Sequence, residues 1–157
     1  MATLAMAPAL PASAQADWGN STEITNVGNG THWVSPGAGQ NIETTTEATG
    51  PWGSWTLEQQ QDGSTVFRNR ATNECAESTM QANGPVFTAP CAVWKQGQKW
   101  DLVRSPHGGF VITPQSRPGL AVVADQYYRG PELMLGQRPL DTGGNSDTPN
   151  AVFNFRF

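Results

Sequence analysis

Three segments of this chain run alike. Gly53-Ser54-Trp55-Thr56-Leu57, Gln98-Lys99-Trp100-Asp101-Leu102 and Val152-Phe153-Asn154-Phe155 each place a large aromatic in a short strand-like run. The aromatics Trp55, Trp100 and Phe153 lie 45 and 53 residues apart. A repeat constrains a fold more than any local propensity, because a unit too small to bury its own apolar face must share a core with its copies.

The middle unit is the clearest. Thr65-Val66-Phe67-Arg68-Asn69-Arg70 has strand-like alternation, the turn Ala71-Thr72-Asn73-Glu74 leads to Cys75, and Val86-Phe87 and Pro90-Cys91 precede the closing run. Upstream, Glu23-Ile24-Thr25-Asn26-Val27 precedes Gly28-Asn29-Gly30, His32-Trp33-Val34 and Asn41-Ile42. Downstream, Gly109-Phe110-Val111-Ile112-Thr113 precedes Arg117-Pro118-Gly119, Leu120-Ala121-Val122-Val123 and Leu133-Met134-Leu135. Short strands at about ten-residue spacing, with turn residues between them, indicate a barrel or sandwich. Three four-strand units predict an all-β fold, a β-trefoil, with repeats at about 22–60, 61–105 and 106–157.

Composition agrees. With 17 Gly and 12 Pro among 157 residues, a helical bundle is excluded, since interior Gly costs about 1 kcal/mol and Pro about 3. No segment shows helical periodicity. Charged residues make up 14% and the net charge is −4, so no basic stripe exists for nucleic acid. No apolar run approaches the roughly 20 residues of a transmembrane helix. Residues 1–16 carry no charge and end in the small-x-small pattern Ala14-Gln15-Ala16, which reads as part of a signal peptide cut before Asp17, or as an Ala/Pro tail. The expected product is secreted and has 141 residues, or 47 per unit.

Phe67-Arg68-Asn69-Arg70-Ala71-Thr72-Asn73-Glu74-Cys75-Ala76-Glu77, with Gln98-Lys99-Trp100 downstream, resembles one repeat of a ricin B-type lectin domain. The same segment resembles the trefoil accessory subunits of cytolethal distending toxins. Cys75 and Cys91 are the two cysteines, and a zinc site would need about four ligands where only His32 and His107 could join them. In an exported chain two thiols are expected to pair, contributing roughly 3 kcal/mol. The resemblance implies the same pairing. His32 and Ala121 stand at the first-cysteine position of the other units.

Trp55, Trp100 and Phe153 are expected to form a threefold core layer. Trp18, Trp33, Trp52 and Trp94 fall outside that pattern, and Trp52 and Trp94 are expected on exposed loops. Catalysis finds no support, since no nucleophile elbow, His-Glu-x-x-His or P-loop occurs. No catalytic residue, cofactor or metal is expected. Two of the 13 carboxylates would still need the separation that glycoside hydrolysis demands.

The resemblance implies, for a competent sugar site, an Asp two residues after the first Cys. It also implies an aromatic two residues before the second Cys and an Asn just ahead of the Gln-x-Trp. In the middle repeat these positions hold Glu77, Ala89 and Gly97. In the third they hold Val123, Gly136 and Asn150, and in the first Val34 and Trp52 stand for the Asp and the Asn. No repeat keeps the whole set. A replacement cluster is Asp125-Gln126-Tyr127-Tyr128, where two polar side chains would serve hydroxyls beside a stacking ring. Asn20-Ser21-Thr22 and Asn29-Gly30-Thr31 match the N-glycosylation pattern.

Candidate ligand contacts are therefore Glu77, Trp94, Asp125, Gln126, Tyr127, Tyr128 and Asn150. The expected function is non-enzymatic binding of a glycan or other cell-surface ligand. The alternatives are a protein-interaction module using a loop aromatic patch, as in a toxin accessory subunit, and a trefoil protease inhibitor.

Overall fold

A computed structural model describes residues 21–47, 50–106, 108–124, 131–137 and 149–156. Twelve strands among them fall into three units of four. The first holds β1 (Glu23–Asn26), β2 (His32–Val34), β3 (Glu43–Thr45) and β4 (Trp55–Gln59). The second holds β5 (Thr65–Asn69), β6 (Cys75–Ser78), β7 (Val86–Ala89) and β8 (Trp100–Arg104). The third holds β9 (Phe110–Pro114), β10 (Leu120–Ala124), β11 (Leu133–Gln137) and β12 (Val152–Arg156). A short 3-10 turn precedes each closing strand, at Gly50–Gly53, Gln96–Gln98 and Pro149–Ala151.

The first and last strands of each unit make a barrel. β4 pairs with β5, β8 with β9 and β12 with β1, all antiparallel, while β5–β8, β9–β12 and the Thr22–Trp55 bridge join these pairs into a ring. Closure leaves the barrel strands without a free edge. The middle strands form hairpins β2–β3, β6–β7 and β10–β11 that cap one end. They meet through backbone bonds from Ile42 N to the Val86 carbonyl (2.8 Å), Leu133 N to the Ile42 carbonyl (2.9 Å) and Leu135 N to the Gly84 carbonyl (2.9 Å). This is the β-trefoil that the repeats predict.

Equivalent side chains explain why the units fold alike. Asn26 Oδ1 accepts hydrogen bonds from Gly28 N and Asn29 N, and Asn69 Oδ1 accepts them from Ala71 N and Thr72 N. Each Asn thus satisfies two turn amides that the strands leave unpaired. Trp55 Nε1 donates to the Trp33 carbonyl and Trp100 Nε1 to the Ala76 carbonyl, each at 3.1 Å. Those carbonyls sit on β2 and β6 in corresponding places. Phe153 holds the third position with a ring alone.

Trp55, Trp100 and Phe153 are fully buried in one cluster with Ile24, Phe67 and Ile112, as the repeat pattern predicts. Trp33 corrects that pattern, since it lies inside the same cluster. Its ring meets Trp55, Phe67 and Phe153 edge-on at 5.8, 5.5 and 5.6 Å between centroids. The corresponding residues in the other units are Ala76 and Val122, so the same buried cluster holds an indole, a methyl and an isopropyl group at equivalent places. Packing at the axis is therefore asymmetric although the backbone repeats.

Candidate functional site

Among the described residues, the middle unit holds two of the candidate groups, Glu77 and Trp94. β6 presents Glu77, and the segment after Cys91 carries Val93, Trp94 and Lys95 into the Gln96–Gln98 turn. Cys75 and Cys91 are joined, with 5.0 Å between their Cα atoms, as expected. The bond ties the start of that segment to β6. Its far end is held by the Gln98 side chain, which accepts from Ala92 N at 2.9 Å and donates to the Pro90 carbonyl at 2.9 Å.

Gln98 Nε2 also donates to Glu77 Oε1 at 2.8 Å, and Lys95 Nζ reaches the same oxygen at 3.3 Å. The carboxylate is thereby oriented and its charge balanced by the neighbouring ammonium. Immediately before Lys95, Val93 and Trp94 are 72% and 76% exposed. An indole open to solvent can stack on an apolar face, and the residue after it in the chain is the Lys95 that meets Glu77. Val93 and Gln98 also line a depression of about 120 Å³. Val66, Ala92 and the Arg68–Glu58 ion pair line it, with Arg68 Nε 2.7 Å from Glu58 Oε2.

Two departures from the lectin pattern, Gly97 and Gly136, have steric causes. A Cβ on Gly97 would run into the Ser78 carbonyl and lie 3.2 Å from Glu77 Cγ, so no asparagine fits there. Gly97→Asn should therefore cost about 1–3 kcal/mol by overpacking rather than create a sugar contact. Thermal melts should show a midpoint several degrees lower, and an unchanged melt would contradict the close approach. In the third unit a Cβ on Gly136 would lie 2.9 Å from Val123 Cγ2, so the two positions expected to hold a platform and an acceptor block each other. In the first unit Val34 is buried and Trp52 is 42% exposed.

The described candidates belong to two different units. Glu77 and Trp94 share the middle unit, whereas Asn150 sits in the Pro149–Ala151 turn of the third. Asp125, Gln126, Tyr127 and Tyr128 lie outside the described residues. Ala124, just before them, closes β10 inside the core. Lys95 was missed by sequence reasoning, although its place after an exposed Trp in the loop facing Glu77 was a usable signal.

A second charged group lies near the β4–β5 turn. Hydrogen bonds from Ser64, then from Lys99 at 2.9 Å, hold the Asp62 carboxyl well below the usual carboxylate range. Partial burial, then repulsion from Asp62, raises that of Asp101. The signs oppose. Asp62 contributes stability above the unfolded carboxylate range that is lost on acidification, whereas Asp101 costs stability once pH rises through its raised value. Asp101→Asn should thus gain up to about 1 kcal/mol at neutral pH, because the group is only partly buried and solvent-screened. Melts in strong acid should show no gain. A gain of equal size at both pH values would exclude the electrostatic cause.

No group of His, Cys, Asp and Glu suited to a metal occurs among the described residues. Nor is any helix among them long and apolar enough to cross a membrane. The sequence matches no protein-family model and no curated protein. Solved structures do match. A GlcNAcα1-4Gal-releasing endo-β-galactosidase from Clostridium perfringens superposes with a TM-score of 0.73 and 16% identity, over 87% of this chain and 32% of that one. A chain of the cytolethal distending toxin of Actinobacillus actinomycetemcomitans gives 0.69 and 17%, over 89% and 92%. The Macrolepiota procera ricin B-like lectin, solved with lactose, gives 0.69 and 14%, over 88% and 95%. At these identities the likeness establishes the trefoil fold. The neighbours include both classes that the middle segment resembles, and the chain spans about a third of the endo-β-galactosidase.

Proposed function

We propose that this chain is an exported, non-catalytic binding module that recognises carbohydrate through its middle unit. The observation that carries the reading is a 76% exposed Trp94 directly before Lys95 in the chain, where Lys95 meets the oriented Glu77 carboxylate. Trp94 supplies the stacking face, Glu77 accepts from sugar hydroxyls and Lys95 donates to them. The disulfide fits an oxidising compartment. Shallow sites of this kind bind weakly, so avidity would come from multivalent display.

A glycan array probed with the whole chain tests this. Binding to a defined sugar set, weakened about tenfold or more by Trp94→Ala, is the expected result for an aromatic anchor. Trp52→Ala should change it little. Val93 favours a second reading, since a sugar platform needs one ring and gains nothing from an exposed valine beside it. Trp, Val and the adjoining depression would then receive an apolar side chain of a protein partner. An array without signal, together with a partner captured by the wild type and lost on Trp94→Ala and Val93→Asp, would replace the carbohydrate reading with that one.

A further inference from the structure

The β1–β2 turn carries a group that the binding site does not use. Val27, Gly28, Asn29 and Gly30 are all exposed. Asn29 Oδ1 accepts two hydrogen bonds from one residue, from Thr31 N at 3.0 Å and from Thr31 Oγ1 at 2.6 Å. Two donors on one amide oxygen polarise the carbonyl and stabilise negative charge developing there, which is the arrangement of an oxyanion hole. The next residue is Gly30, with φ +74° and nothing within 4 Å of a Cβ placed on it. No side chain or backbone therefore crowds its α-carbon, and the turn has room to rearrange there.

We propose that Asn29 is a site of intramolecular deamidation, driven by its own turn. Hydroxide removes the Gly30 amide proton, and that nitrogen attacks Asn29 Cγ. The new N–Cγ bond places negative charge on Oδ1, between the two Thr31 donors. Collapse breaks the Cγ–Nδ2 bond, and ammonia leaves with a proton from water. The resulting five-membered imide adds water at either carbonyl and opens to aspartate or isoaspartate, so ammonia is lost and water gained. Before attack the Gly30 amide must release its 2.9 Å bond to the Asn26 carbonyl, and exposed turns open at low cost. Isoaspartate lengthens the backbone in the turn joining β1 to β2 and removes the Asn29 side-chain amide on which Thr31 relies.

Asn83-Gly84 is the internal control. It has the same dipeptide and an exposed Asn, but Asn83 is at φ +65°, and a Cβ on Gly84 would lie 3.0 Å from Thr79 Oγ1 and 3.1 Å from the Gln81 carbonyl oxygen. No such donor pair meets Asn83 among the described residues.

The whole chain, made in bacteria and so free of N-glycan, is incubated folded at mildly alkaline pH and followed by peptide mass spectrometry. Exchange of NH for O, split into aspartate and isoaspartate peaks, should accumulate at Asn29 severalfold ahead of Asn83. In denaturant the two sites should converge. Thr31→Val should slow Asn29 about tenfold, less than the 10²–10³ of an oxyanion donor in a rigid enzyme site, and Thr31→Ser should not. Asn83 leading in the folded chain, an unchanged ratio in denaturant, or a Thr31→Val rate equal to or above wild type would each overturn the proposal. Should the valine variant fail to fold, the folded-to-denatured comparison decides.

Discussion

Trp100→Ala should lower the stability of the fold by about 3–5 kcal/mol, the range for emptying an aromatic site in a core. At roughly 2–4 °C per kcal/mol for a chain of this size, the midpoint falls by about 6–20 °C. Trp100 is fully buried, its ring packs 6.4 Å from Phe67, and its Nε1 donates to the Ala76 carbonyl. The alanine loses the ring contacts and leaves that carbonyl short of a donor. Trp100→Phe separates the two effects, because Phe153 shows that a ring alone serves the third unit. It should cost about 1–2 kcal/mol, most of it the lost hydrogen bond. Trp33→Phe supplies the contrast: Trp33 Nε1 has no partner among the described residues, so that change forfeits ring area only and should cost less. Denaturant melts of the three variants settle the order. Equal costs for Trp33→Phe and Trp100→Phe would mean the Trp–carbonyl bonds add nothing.

The same contrast shows why part of this core was readable in advance. Trp55, Trp100 and Phe153 recur at a near-constant interval, and recurrence is a one-dimensional signal. Trp33 recurs nowhere, since its counterparts are Ala76 and Val122. Its burial follows from how three unlike side chains share the space at the axis, which only the packed structure reports. A cue existed: His32 occupies the place of Cys75, and Thr25–His32 and Arg68–Cys75 pair in the same register. That register aligns Trp33 with the apolar Ala76 on the inward face.

The candidate site divides along similar lines. Exposure of Trp94 and Trp52 was readable from their glycine- and lysine-flanked loops. That Glu77 would be taken up by Gln98 and Lys95 was not, because such bonds depend on how a loop folds back over a strand roughly twenty residues away. Gly97 looked like a missing asparagine, yet it is a glycine because the Ser78 carbonyl lies where a Cβ would stand. Departures from a family pattern can thus record local sterics as well as a change of ligand.

Removing the Cys75–Cys91 bond should cost about 3 kcal/mol, from the entropy regained by an unfolded chain without the cross-link. That corresponds to a midpoint lower by about 6–12 °C. Reduction with a thiol and the double variant Cys75→Ala/Cys91→Ala should agree within error, and both should leave a cooperative transition. Complete loss of that transition would mean that the aromatic core contributes less than its burial implies. The bond also has a local consequence, because it is one of two anchors on the segment bearing Trp94. The other is Gln98, bonded to Ala92 N, the Pro90 carbonyl and Glu77. With Gln98 intact, reduction should leave Trp94-dependent binding nearly unchanged even as the melt shifts. Gln98→Ala alone should weaken binding modestly, since the disulfide still pins Cys91. The two changes together should weaken it by more than their product, the signature of anchors that substitute for each other. Purely multiplicative losses would show that the loop holds its shape without either anchor. In that case Trp94 must be positioned by contacts within the loop itself, such as the bond from Lys95 N to the Ala92 carbonyl at 3.1 Å.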